Sequence, residues 1–99
     1  SVQGPVRLVR ALHPNVPNPF NPRTQLRFTL ETAERVRLEI IDLAGRIVRV
    51  LADDRFGAGP HQVMWDGTDE QGAQMASGVY FYEVRSDQGS DIGKMALVR

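Results

Sequence analysis

The nine glycines and six prolines of this chain fall between its apolar runs instead of inside them, so no amphipathic helix fits between the breaks. What is left are short runs with a period of two. Residues 24–30 alternate cleanly, with Leu26, Phe28 and Leu30 on one side and Gln25, Arg27 and Thr29 on the other, the pattern of a half-buried strand. Residues 35–42 repeat it, with Val36, Leu38 and Ile40 against Arg37 and Glu39. Asp42-Leu43-Ala44-Gly45 then turns the chain into a strand at 46–52, where Val48 and Val50 share one face and Ile47 and Leu51 the other. After Gly57-Ala58-Gly59-Pro60, residues 61–65 set Val63 and Trp65 on one face, and a polar loop follows at 66–72. Residues 78–86 form the richest β segment, a turn is expected at 87–90, and 92–99 is the last run. With a further strand at 6–12, about seven antiparallel strands are expected, which is an all-β, two-sheet sandwich.

At 99 residues there is room for one domain, with Phe20, Phe28, Leu38, Ile40, Trp65 and Tyr80 as the expected core anchors. Twelve basic side chains balance twelve acidic ones without any charged block. That argues against the phosphate neutralisation that nucleic-acid binding needs, and against a polybasic membrane anchor. No run approaches the roughly 20 apolar residues of a membrane-crossing helix, and residues 1–10 lack the order of a signal peptide, so if the chain is exported its signal is expected on a longer precursor. The absence of cysteine excludes disulfides and thiolate chemistry.

Pro17-Asn18-Pro19-Phe20-Asn21-Pro22 is neither helix nor central strand, since each proline fixes φ and removes a donor. It is expected to be a rigid lead-in to the next strand, with Phe20 plugging the end of the sandwich. Asp66, Asp69 and Glu70 lie beside Gly67 and Gly72, but their spacing departs from an EF-hand loop. A solvated turn bonded to its own amides is the expectation, with calcium left open. His13 and His61 each sit beside a proline with no second ligand at metal spacing, so no metal site is assigned and both are expected in loops or at strand edges. Ser77 lacks a nucleophile-elbow pattern, and no phosphate-cradling glycine motif exists. No catalytic residue, cofactor or small-molecule substrate is expected. Eleven of the twelve basic residues are arginine, and Arg27, Arg37 and Arg49 fall on outward faces where Glu39 and Glu83 are placed to pair with them. Trp65, Tyr80 and Tyr82 fit an inward pattern better than an exposed sugar-binding platform.

Five landmarks stand in a familiar order: Val16-Pro17-Asn18-Pro19-Phe20-Asn21-Pro22-Arg23-Thr24, Ile41-Asp42-Leu43-Ala44-Gly45-Arg46, Trp65-Asp66-Gly67, Ala76-Ser77-Gly78-Val79-Tyr80 and Lys94-Met95. In this the chain resembles the type A C-terminal sorting domains of the type IX secretion system, and the closely similar immunoglobulin-like domain of the flagellar hook-capping protein. The resemblance runs from about Leu12 to Arg99. It implies an immunoglobulin-like sandwich at 12–99, with 1–11 as a linker or first strand from an upstream passenger domain. It further implies a non-catalytic address that directs the passenger through the periplasm to the cell surface or medium. The implied partners are the outer-membrane secretion machinery and a sortase-like peptidase. Family motifs carry over onto Gly78, Tyr80 and Lys94, and the last segment, with Met95, Leu97, Val98 and Arg99, is expected to meet the machinery. Two other roles fit such a domain: a passive spacer beside an exported enzyme, and a structural part of the flagellum.

Overall fold

The computed structural model describes residues 11–86 and 89–99. Its strands are β1 (Ala11–Leu12), β2 (Thr24–Leu30), β3 (Glu34–Ile41), β4 (Ile47–Phe56), β5 (Gly59–Trp65), β6 (Gly78–Ser86) and β7 (Gly89–Leu97). They form a three-stranded sheet, β1-β2-β5, and a four-stranded sheet, β4-β3-β6-β7, with every strand pair antiparallel. This is the expected all-β immunoglobulin-like sandwich. Of the first strand expected at 6–12, residues 6–10 lie outside the described residues and the remainder is β1; residues 87 and 88 of the expected turn also lie outside them.

Alternation decides which side chains meet between the layers. Leu26, Phe28 and Leu30 of β2 face Val36, Leu38 and Ile40 of β3 and Tyr80, Tyr82 and Val84 of β6, and β7 adds Met95 and Leu97. All six expected anchors are buried. Each large side chain taken from water stabilises the fold by about 1.5–3 kcal/mol, which a sandwich of short strands needs to offset chain entropy.

β4 departs from the expected pattern in two ways. Its pairing with β3 slips between Leu38 and Glu39 and again between Ile40 and Ile41, so it does not keep a strict period of two. Val50 lies opposite Glu39, and Ile47 opposite Ile41, on the outer face, while Val48 and Leu51 turn to the core. The expected pairing of Val48 with Val50 on one face is therefore wrong, because bulges re-aim side chains. The strand also runs past residue 52 to Phe56, whose ring meets Phe28 at 5.6 Å and His61 at 5.0 Å. That burial draws the charged stretch Asp53-Asp54-Arg55 into the strand.

The proline-rich segment changes sheets. Val16 exchanges both backbone hydrogen bonds with Gln25 of β2, at 3.0 and 2.8 Å. Four residues later the Phe20 N–H donates to the Ala96 carbonyl (3.0 Å), and the Val98 N–H donates back to Phe20 (2.9 Å), a parallel bridge to β7. Prolines at 17, 19 and 22 suit a path that needs few donors, and Phe20 fills the end of the sandwich against Trp65, ring centroids 5.6 Å apart.

Candidate functional site

Four of the five sequence landmarks, and the far end of β7, collect at one end of the sandwich. There the β3–β4 turn, the 66–77 loop, the start of β6 and the end of β7 meet the proline-rich segment. In the β3–β4 turn, Asp42 Oδ1 accepts the N–H groups of Ala44 (2.9 Å) and Arg46 (3.0 Å), and Gly45 takes a left-handed φ of 85°. In the 66–77 loop, Asp69 Oδ1 accepts Gln71 and Ala73 N–H, both at 2.9 Å. Asp66 Oδ1 accepts the Thr68 hydroxyl (2.6 Å) and amide (3.1 Å), with the Arg49 guanidinium at 3.1 Å. The loop is thus the self-bonded turn expected from its sequence. Among the described residues no three His, Asp or Glu side chains converge as metal ligands.

The Thr68 hydroxyl, then its amide and Arg49, hold the Asp66 carboxyl below its ordinary value of 3.8. The unfolded chain therefore takes up the proton first. The stability from this contact is complete above the ordinary value and is lost as pH falls through the lowered one. Asp66→Asn keeps an oxygen acceptor but cannot titrate. Its thermal midpoint should fall less than that of the parent chain between about pH 5 and about pH 2.5, as followed by circular dichroism.

Trp65 roots this loop, its ring buried between Phe20 and Tyr80 and its Nε1–H donating to the Thr68 carbonyl at 2.9 Å. Gly67 follows with φ 80°, where an added Cβ would lie 3.0 Å from both the Pro22 carbonyl and Arg99 Nη2. Both conditions demand glycine there. Tyr80 sends its hydroxyl to the Ala76 carbonyl four residues upstream (2.6 Å), the corner that fixes the start of this strand in immunoglobulin-like folds. Arg99 ties the end together: its N–H donates to Ser77 Oγ (2.9 Å), Nε to the Met75 carbonyl (2.6 Å) and Nη2 to the Gly67 carbonyl (2.8 Å).

The seven residues expected to meet a partner therefore divide. Tyr80, Met95 and Leu97 are buried core. Gly78, Lys94 and Val98 are exposed, and Arg99 is exposed but tethered by three hydrogen bonds. The division follows β7's alternation, Ile-x-Lys on the outer side and Met-x-Leu on the inner.

The outer face of the four-stranded sheet carries an ionic cluster. Glu39, only 2% exposed, receives Arg37 on one oxygen and Arg85 on the other, while Arg37 and Arg35 reach Asp53 and Arg85 reaches Glu83. The expected Arg37–Glu39 pair is present, whereas Glu83 is met by Arg85, and Arg27 turns to the Pro14 carbonyl at 3.3 Å. Arg49 instead turns to the loop, because Ile40, its partner on β3, faces inward. The depth of Glu39 has no signal in alternation; it comes from arginines on two neighbouring strands folding over one carboxylate. Toward the landmark end the same face turns apolar, with Ile41, Ile47, Val79 and Phe81, and Ile92 stands 58% exposed on β7.

The FlgD Ig-like domain family matches residues 20–90, most of the chain, with three of its landmarks whole and the first from Phe20 onward. The chain belongs to the FlgD Ig-like domain family. Among solved structures, FlgD from Pseudomonas aeruginosa is 25% identical with a TM-score of 0.61, over 75% of this chain and 58% of that one. FlgD from Xanthomonas campestris, described in relation to hook capping and flagellar assembly, is 27% identical with a TM-score of 0.56, over 89% and 64%. Latent dimeric PorU from Porphyromonas gingivalis is 26% identical with a TM-score of 0.68, over 86% of this chain and 9% of that one. PorZ of the same organism, a surface component of its type IX secretion system, shares the fold at 22% identity with a TM-score of 0.61, over 87% and 11%. This FlgD Ig-like domain thus spans about a tenth of PorU and PorZ and less than two thirds of either FlgD. No curated protein sequence matches the chain.

Proposed function

We propose that this FlgD Ig-like domain is a non-catalytic sorting domain, which directs an attached passenger across the outer membrane by type IX secretion to the cell surface or medium. Its partners are the outer-membrane machinery and a sortase-like peptidase, and it needs no cofactor. The observation that carries this reading is that β7, which holds the Lys94-Met95 landmark, lies at the edge of its sheet with Lys94 and Val98 exposed. The ordered landmarks and the likeness to PorU support it. A structural role in a flagellar hook cap is the second reading, favoured by the family match itself and by the larger share of FlgD that the chain covers.

Deleting residues 94–99 would remove Met95 and Leu97 from the core and confound delivery with unfolding. Lys94→Glu combined with Val98→Glu alters only exposed positions. Placed in the parent protein in its native host, the pair should leave the domain's thermal midpoint nearly unchanged while precursor collects in the periplasm. Undiminished surface delivery would overturn the sorting reading, and a motility defect with normal delivery would favour the hook cap.

A further inference from the structure

The fold guards nearly all of its sheet edges. β1 is followed at once by His13-Pro14, and β5 carries Pro60. β4 breaks register twice, and its Val50 N–H is taken by the Glu70 carboxylate. β7 differs, because its register with β6 is unbroken from Gly78↔Leu97 to Ser86↔Gly89. The outward-facing groups of its far end are already paired: Ala96 N–H with Asn18 Oδ1 (3.0 Å), Ala96 carbonyl with Phe20 N–H, and Val98 N–H with the Phe20 carbonyl. By strict alternation from Ala96 and Val98, the backbone of Lys94, Ile92 and Ser90 faces the same way. For Ile92 and Lys94 these groups have no partner among the described residues. Among the described residues, the edge is sealed where Asn18 and Phe20 lie on it and open at the outward backbone groups of Ile92 and Lys94.

We infer that this open edge takes an added β-strand from a partner protein, an extended segment reading acidic-x-apolar from its N-terminal side. An antiparallel addition puts the partner's first specified residue opposite Lys94 and its second opposite Ile92, both on the outer face. Arg35, Arg37 and Arg85 of that face are matched to carboxylates, but Lys94 has no ion pair among the described residues, so it calls for an acid. Ile92, 58% exposed, calls for an apolar side chain. The bridge at Phe20 is a precedent within the molecule, a segment already hydrogen-bonded to the same edge. Main-chain bonds supply the attraction and the two side chains the choice of partner. The inference deepens the sorting reading by naming the contact as residues 90–94 and not the tethered end at Arg99.

The test is a titration of the 15N-labelled full chain with the peptide acetyl-Thr-Glu-Thr-Val-Thr-amide, and with a control in which Glu and Val are exchanged. The amides of Ile92 and Lys94 should shift and gain protection from exchange, and the control should bind more weakly. Ile92→Pro removes the outward N–H without costing a bond to β6, and should abolish binding with the fold intact. Lys94→Glu, which leaves the backbone alone, should weaken binding by about five- to tenfold. No shift at these amides at millimolar peptide, or binding retained in Ile92→Pro, overturns the inference. So does concentration-dependent shifting of the same amides without peptide, which would assign the edge to a second copy of the chain. A delivery defect in the doubly substituted parent protein without peptide binding would spare the sorting reading and remove only the strand addition. Peptide binding with undiminished delivery would do the reverse.

Discussion

Trp65→Ala is expected to destabilise the domain by about 3–5 kcal/mol, a large part of the 5–15 kcal/mol that a domain of this size commonly has. Three losses coincide at that position. The indole is fully buried, so its removal leaves a cavity between the sheets. It is the common neighbour of Phe20 and Tyr80, at 5.6 and 5.5 Å, so the plug and the tyrosine corner lose the same contact. Its Nε1–H also holds the Thr68 carbonyl, and without it the 66–77 loop loses its root. At about 4–8 °C per kcal/mol for a small domain, the thermal midpoint should drop by at least about 12 °C. Trp65→Phe separates the effects, because it keeps most of the packing and removes the hydrogen bond. It should cost only about 1–2 kcal/mol. Urea unfolding of the three proteins decides it, and equal losses in both variants would mean that the loop, not the cavity, sets the cost.

The landmarks of the sequence turn out to be largely structural, which is why they were legible. Asp42 and Gly45, Trp65 and Gly67, and Tyr80 each solve a local problem of turn, close approach or corner with a residue type that few others can replace. Period-two alternation likewise assigned the core side of β2, β3 and β6 correctly. It failed on β4, since a bulge is a feature of the pair, set by β3 as much as by β4. The residues expected to meet a partner are legible only in part. Reading Met95, Leu97 and Lys94 as one contact group treats the last strand as a string, whereas the sheet sends the first two inward. Nor does the sequence reveal that Asn18, 78 residues away from Ala96, and Phe20 lie along the far half of β7. Burial of Glu39 is non-local in the same way, since Arg85 comes from a strand 46 residues on.

Gly93→Ala provides a test in which sequence logic and packing predict opposite signs. Glycine inside a strand is ordinarily worse than alanine by roughly 0.5–1 kcal/mol, so on propensity alone the substitution should stabilise β7. The structure predicts the reverse. Gly93 lies opposite Tyr82, whose ring crosses directly over it, and an added Cβ would overlap that ring. Tyr82 cannot simply swing away, because it is buried and its hydroxyl donates to the His13 carbonyl at 2.9 Å, tying β6 to the segment that follows β1. Gly93→Ala should therefore cost about 3 kcal/mol, at the upper end of ordinary overpacking. Tyr82→Ala should itself cost about 3–5 kcal/mol through the cavity it leaves. Once the ring is gone, the methyl at 93 has room, so the double variant should cost less than the two singles added together, by about 1–3 kcal/mol. Urea midpoints of the four proteins close the cycle. Additive losses would mean that the ring and the glycine do not share one space, and that the flat edge between Ser90 and Lys94 is held by β6 hydrogen bonds alone.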